Sequence, residues 1–157
     1  MDVAEVLARP ISRELLESSI PARFAYVGID GDPRVVPIAF LHRDGEIVMF
    51  TLPGTAKVPA LRRNPRVSLT IDTESFPPRA LLIRGTARVD VVDGMPDDFV
   101  TASAKLVPAE RFDEWERGVR ALYERMAVIT VRPDWAKLLD FETTLPKAVE
   151  DLVRPVS

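Results

Sequence analysis

The chain has 157 residues, of which 46% are hydrophobic and 29% charged, and its net charge is −3. This predicts one domain with a single core over residues 1–157, and the negative charge argues against a general nucleic-acid binder, which needs cations to neutralise phosphates. The absence of cysteine excludes disulfides and thiolate catalysis, and a single histidine excludes a multi-histidine metal site. No signal peptide and no apolar run of about 20 residues is visible, so we expect a cytoplasmic protein without membrane association.

The N-terminal third predicts two short helices and a meander of strands. The helices span residues 2–8 and 12–17, since Pro10 divides them and Ser12 is a suitable N-cap. Strands are expected over residues 22–30, 34–42 and 46–52, with turns at residues 30–33 and 43–45. Pro37 lies inside the second strand, which indicates an edge, a bulge or an approaching ligand.

Residues 50–69 are predicted to form a strand, a tight loop, a short helix and another strand. Pro53 and Gly54 end the first strand, Thr55 is expected to cap a helix that runs to Leu61, and Asn64-Pro65 ends that helix. A helix start with a hydroxyl and a lysine, Lys57, suits an anion such as a phosphate. An ordinary strand connection with a solvated lysine accounts for the same residues.

The remaining strands are predicted by alternation of apolar and polar residues. Residues 66–72 and 79–92 alternate strictly, and Gly85 is a candidate bend in the longer strand. Two helices follow the turn at residues 93–94, with Trp115 expected as a core anchor. The last strand, residues 126–132, is predicted to end at Pro133-Asp134-Trp135, which gives about six strands in all.

The order of these segments resembles the pyridoxamine 5′-phosphate oxidase-like family of FMN-binding split β-barrels, over about residues 21–141. The resemblance rests on residues 34–40, on Phe50-Thr51, on Thr55-Ala56-Lys57 followed by residues 61–67, on residues 82–89 and on residues 132–135. It implies an α+β fold that is mainly β, a six-stranded antiparallel split β-barrel with flanking helices.

The same resemblance implies a cofactor site and a homodimer with its sites at the subunit interface. Strand two would contact the flavin ring, and the loop after strand three would hold the ribityl chain and the phosphate. The implied cofactor-binding residues are Arg34, Val35, Val36, Pro37, Phe50, Thr51, Thr55, Ala56 and Lys57, with Trp135 completing the partner's site. Because the cofactor carries the hydride chemistry, no catalytic side chain and no metal ligand is expected.

Two departures from the oxidase pattern argue against pyridoxamine phosphate oxidation. Ala56 stands where those oxidases usually have an arginine, and their C-terminal Arg–His pattern has no match here. The one histidine, His42, is expected to be a surface turn residue.

Three functions follow from the resemblance. The chain would be an oxidoreductase that uses FMN and a small organic substrate, a reductase of the similar F420-binding branch, or a barrel that sequesters flavin without turnover. Arg63 is expected on a solvated helix face, whereas Arg62 suits either the F420 tail or solvent.

Overall fold

The computed structural model describes residues 2–153. The helices are α1 (Val3–Ala8), α2 (Pro10–Glu17), α3 (Lys57–Arg63), α4 (Asp97–Ala104), α5 (Phe112–Leu122) and α6 (Lys147–Val153), with a 3₁₀ turn at Ala109–Arg111. The strands are β1 (Ala22–Val27), β2 (Pro33–Ile38), β3 (Phe40–Arg43), β4 (Glu46–Thr51), β5 (Arg66–Asp72), β6 (Ala80–Asp93) and β7 (Arg125–Leu139). None of these helices is both long and apolar enough to span a bilayer.

All seven strands of the described residues lie in one antiparallel sheet, in the order β2-β1-β5-β6-β7-β4-β3. The two edge strands, β2 and β3, are consecutive in the chain with only Ala39 between them. The sheet therefore curls until its edges approach each other, which makes a half-barrel. This confirms the antiparallel split barrel with flanking helices.

The sheet has seven strands where six were predicted, because the predicted strand over residues 34–42 divides at Ala39. Its first half pairs with β1 and its second half with β4. Both halves have strand-forming residues, and local sequence does not specify which partner each half will find.

The barrel interior is filled by apolar residues from every strand that was predicted to alternate. On β6, Leu81, Ile83 and Ala87 are buried, whereas the intervening Arg84 and Arg88 are exposed. The largest fully buried side chains are Phe24, Phe40, Leu16, Ile47, Met49, Leu61, Leu69, Ile71, Leu81, Ile83, Ile129 and Val131. Val6, Leu7, Leu15 and Leu16 of the two N-terminal helices join the same core.

Strand β7 continues to Leu139, so the prediction that it ends at Pro133-Asp134-Trp135 is wrong. Pro133 pairs opposite Gly85, at a shift of register between β6 and β7. A Cβ added to Gly85 would lie 2.3 Å from the carbonyl oxygen of Arg132. The glycine thus allows the irregularity that accommodates a proline inside a central strand, as expected of a bulge.

Two other local predictions are corrected. Ser12 is not an N-cap: Pro10 occupies the first position of α2, where proline is favoured, and Ser12 is fully buried within the helix. Trp115 is half-buried and lies outside the barrel core, stacked with ring centroids 5.9 Å apart on Phe99, which packs against a smaller apolar cluster beside the barrel. Phe99 in turn contacts Phe50 edge to face.

Candidate functional site

The loop between β4 and α3 forms a polar corner around two threonines. The hydroxyl oxygens of Thr51 and Thr55 lie 3.0 Å apart and share a hydrogen bond. The Thr55 N–H donates to the carbonyl oxygen of Leu52, at 3.1 Å, which keeps the loop in a turn. Helix α3 therefore begins at Lys57 with Ala56 as its N-cap residue, and the predicted capping role of Thr55 is wrong.

Lys57 is the first residue of α3 and is half-buried. Among the ion pairs of residues 2–153, none involves Lys57. The helix is held on the sheet by Val58, Ala60 and Leu61, which are all buried. Lys57 is thus a half-buried cation two positions after Thr55 in the chain, and a lysine close to hydroxyl groups suits a phosphate group.

The predicted ring-contacting residues lie on β2, at an edge of the sheet. Arg34, Val35 and Pro37 are exposed, whereas Val36 is half-buried and packs against the core. Pro37 pairs with Arg23 of β1 and has no strand on its other side, so the edge position alone accounts for a proline here.

Arg34 is fixed by the turn between β1 and β2. Its Nη2 donates to Oδ2 of Asp30 at 2.5 Å, and its Nη1 donates to the carbonyl oxygen of Asp32 at 3.2 Å. The hydrogen bond from Arg34 lowers the pKa of the Asp30 carboxyl, which secures the pair at neutral pH. Gly28 makes room for the pair, since a Cβ there would lie 2.8 Å from the Asp30 carboxylate. Arg34 therefore lines the site with its charge already neutralised, whereas Lys57 takes part in no ion pair among residues 2–153.

Two clefts flank this β1–β2 turn, and both are bounded by α3. The first, about 270 Å³, brings together two predicted residues, Arg34 and Ala56. Its other lining residues are Tyr26, Gly28, Ile29, Asp30 and Pro59. The second, about 350 Å³, lies between the turn and the end of the helix, and includes Arg63.

The turn residues Gly28, Ile29 and Asp30 were not predicted as site residues. The sequence marks them only as a turn. Their contact with a helix about 30 residues later depends on the tertiary fold, which local sequence does not specify. Arg63 is exposed, as expected, and its guanidinium also donates to the carbonyl oxygen of Ile29 at 3.3 Å. Arg62 is exposed.

Two predicted site residues lie elsewhere. The Phe50 side chain is buried against Phe99 in the cluster beside the barrel, which leaves only its backbone for a ligand in the cleft. Trp135 lines a different pocket, between α1 and β7, and the guanidinium carbon of Arg84 lies 4.1 Å from its ring centroid. Within one chain, Trp135 does not line the cleft of Arg34 and Ala56.

His42 is not a surface turn residue. It lies within β3, is half-buried, and its Nε2 is buried without a hydrogen-bond partner among the described residues. Burial and the nearby Lys105 lower the pKa of the imidazole, so the neutral ring is favoured. The position follows from the division of the predicted second strand, which carries His42 to the opposite edge of the sheet.

One family model matches most of the chain. The sequence profile described as pyridoxamine 5′-phosphate oxidase matches residues 10–142. A comparison with curated proteins gives no match.

Similar solved structures include a protein named F420 reductase, 23% identical, which covers 80% of this chain and 94% of its own, with a TM-score of 0.61. An FAD-binding protein from Mesorhizobium loti is 21% identical, with 88% and 94% covered and a TM-score of 0.56. The heme storage protein HutZ from Vibrio cholerae is 18% identical, with 84% and 93% covered and a TM-score of 0.58. At these identities the likeness establishes the fold, and the three names point to three different ligands.

Proposed function

This chain belongs to the pyridoxamine 5′-phosphate oxidase family, and we propose that it is a flavin-dependent oxidoreductase that transfers hydride between FMN and a small organic substrate. When bound, FMN supplies the redox chemistry. The residues of the chain bind its phosphate, orient its ring and exclude water from the reacting face.

The polar corner of Thr51, Thr55 and Lys57 is the observation that carries this proposal. A half-buried lysine with no anionic partner in residues 2–153 is expected to bind an anion, since partial desolvation strengthens its interaction with one. If the loop were only an ordinary strand connection with a solvated lysine, neither the partial burial of Lys57 nor the hydrogen bond between the two threonine hydroxyls would be expected. The corner therefore supports the assignment of the FMN phosphate to Lys57, Thr51 and Thr55.

The flavin ring is assigned to the cleft of Arg34 and Ala56 beside this corner. Val35, Val36 and Pro37 continue from Arg34 along the edge strand, where backbone groups are available to the polar edge of the ring. Ala56 removes the side chain that an arginine would place over the cleft. This fits a substrate without a phosphate group better than pyridoxamine phosphate.

A homodimer would cover the cleft. Three exposed apolar side chains belong to the segments that form the cleft or the polar corner: Ile29 at 49%, Val35 at 67% and Leu52 at 40%. Exposed apolar residues in one region favour association. In the proposed dimer, Trp135 of each subunit contacts the cofactor of the partner, which accounts for its absence from the cleft of its own chain.

F420 is the alternative cofactor, and one of the similar structures is named F420 reductase. Arg62 is exposed on α3, five residues after Lys57, and it is the candidate for contact with a longer anionic tail. A barrel that sequesters flavin without turnover would use the same corner, so only a turnover assay separates it from an enzyme.

The first experiment is the titration of purified protein with FMN and, separately, with F420, followed by fluorescence of the cofactor. We expect saturable binding of FMN at micromolar concentrations. Lys57→Ala should weaken that binding by about 1.5–3 kcal/mol, the range for a hydrogen bond to a charged group. Arg62→Ala serves as the matched control and should change FMN affinity little.

The outcomes separate the hypotheses. If F420 binds tightly and FMN does not, and Arg62→Ala weakens F420, the reductase of the F420 branch replaces the present proposal. An FMN affinity that Lys57→Ala leaves unchanged would show that the phosphate lies elsewhere. Sequestration would be favoured if FMN binds tightly but no acceptor is turned over when NADH, NADPH or dithionite supplies the electrons.

A further inference from the structure

A pocket of about 300 Å³ lies between α1 and β7, outside the proposed cofactor cleft. Its apolar surface comes from Val3 and Val6 of the helix and from Trp135 and Leu138 of the strand, and its cationic residues are Arg9 and Lys137. This volume is at the lower end of the range of small-molecule pockets, about 300–1,000 Å³.

The charges around the pocket do not cancel. Its one acidic lining residue, Asp134, is engaged by Arg66 through two hydrogen bonds, which also lower the pKa of that carboxyl. Arg9 and Lys137 are both half-buried, and neither takes part in an ion pair among residues 2–153. The pocket thus has two uncompensated cations beside an apolar floor.

The walls of the pocket are fixed before any ligand arrives. The Trp135 ring is held by Arg84, whose guanidinium carbon is 4.1 Å from its centroid. On the other side, Thr144 belongs to a turn organised by the buried carboxylate of Asp140, which accepts hydrogen bonds from the N–H groups of residues 142, 143 and 144 at 3.0, 2.8 and 2.7 Å. A preorganised pocket loses little entropy on binding.

We propose that this pocket binds an amphipathic organic carboxylate, with the carboxylate at Arg9 and Lys137 and the apolar body against Trp135 and Val3, two apolar lining residues that are partly exposed. Arginine presents a planar fork of donors that matches a carboxylate, and lysine adds a point charge. A neutral apolar molecule would leave both cations desolvated without compensation, and an organic cation would be repelled.

The proposal rests on a different set of residues from the FMN assignment, apart from Trp135, whose ring the proposed dimer also uses. None of the residues that line this pocket lines the cleft of Arg34 and Ala56. Trp135 is the one residue that the two hypotheses share. The carboxylate can therefore fail to bind to a protein that binds FMN, and FMN can fail to bind to a protein that binds the carboxylate.

The test uses the two tryptophans of the chain. In Trp115→Phe, Trp135 becomes the sole reporter of tryptophan fluorescence. This variant, in its full-length form, is titrated with 4-phenylbutyrate and with the neutral 4-phenylbutanamide. We expect a saturable change in Trp135 emission with the carboxylate and at least tenfold weaker binding of the amide.

Charge-removing variants then locate the carboxylate. In the Trp115→Phe background, Arg9→Gln and Lys137→Gln should each weaken 4-phenylbutyrate at least fivefold and change the amide less than twofold. Arg117→Gln, an exposed arginine on α5, is the matched control for net charge and should leave both affinities unchanged.

Several results would overturn the proposal. These are the absence of any saturable response to the carboxylate, equal affinity for the acid and the amide, or an equal loss of affinity in Arg117→Gln and Lys137→Gln. Thermal unfolding of each variant establishes that it is folded. If Arg9→Gln is unfolded, the comparison of Lys137→Gln with Arg117→Gln decides the matter alone.

Discussion

At the scale of single residues, His42 is a half-buried titratable group on strand β3. Its Nε2 is buried and has no hydrogen-bond partner in the described part of the chain. Burial lowers the pKa of the imidazole, Lys105 and Arg13 lower it further, and Glu17 and Asp44 oppose them. A cation at this position would lie near Lys105, whose Nζ donates to the carbonyl oxygen of Leu16 at 3.1 Å and so links α4 to α2.

The sign of the pH effect follows from the lowered pKa. Between the folded pKa and the unfolded value of about 6.5, the unfolded chain binds more protons than the folded chain. The free energy of unfolding should therefore decrease as the pH falls below about 6.5. His42→Gln should lose this part of the pH dependence, as measured by urea unfolding between pH 8 and pH 5. Equal slopes for the two proteins would contradict the role assigned to His42.

At the scale of secondary-structure elements, the contact between β6 and β7 depends on one glycine. A Cβ at position 85 would lie 2.3 Å from the Arg132 carbonyl oxygen, a backbone atom that cannot move without breaking the register. We expect Gly85→Ala to lower the free energy of unfolding by about 2–3 kcal/mol, the upper part of the range for single substitutions.

Gly118→Ala is the matched control for that substitution. Gly118 lies inside α5, and a Cβ there meets nothing within 4 Å. The same chemical change should stabilise the protein by about 0.5–1 kcal/mol, because alanine has the higher helix propensity. Chemical denaturation of both variants measures the difference, and a Gly85→Ala protein as stable as the wild type would show that the bulge relaxes freely.

Elements defined by local pattern were predictable from the sequence, and those defined by partners were not. The alternation of β6 and the break at Asn64-Pro65 both correspond to the structure. The predicted end of β7 at Pro133 is wrong, because Gly85 on the neighbouring strand accommodates the proline. A local pattern does not reveal such a distant residue. The division at Ala39 was missed for a similar reason, and with it the burial of His42.

The candidate site shows the same limit. The loop with Thr51, Thr55 and Lys57 is contiguous in the sequence, and the family resemblance predicts that it lies near β2. The structure brings Ala56 of this loop and Arg34 of β2 to one cleft. The β1–β2 turn that borders α3 was not found, since a turn sequence carries no information about which helix packs on it.

At the scale of the whole molecule, the proposed dimer predicts that one substitution affects both association and cofactor binding. Val35→Asp places a charge on the exposed apolar edge beside the cleft, where it would be buried in the dimer at high cost. We expect the dimer dissociation constant to rise at least about tenfold, which corresponds to about 1.4 kcal/mol. FMN affinity should fall with it, because Trp135 of the partner is lost from the site.

Leu152→Asp is the control, since Leu152 of α6 is also exposed, at 82%, but lies on a different element. Analytical ultracentrifugation gives the association state and FMN fluorescence gives the affinity. A wild-type protein that sediments as a monomer at micromolar concentrations, with FMN bound, would rule out the role of Trp135 in the partner's site.

Ala39 couples the folding of the two halves of the sheet. The hairpins β1–β2 and β3–β4 join neighbouring strands and lose little chain entropy when they form. The pairings of β1 with β5 and of β4 with β7 close long loops, and such distant contacts are the slow part of folding. Because a single residue links the two hairpins, pairing of β1 with β5 brings the β3–β4 hairpin close to β7, and pairing of β4 with β7 brings the β1–β2 hairpin close to β5. We therefore expect the barrel to close in one cooperative step, with both edges ordered together.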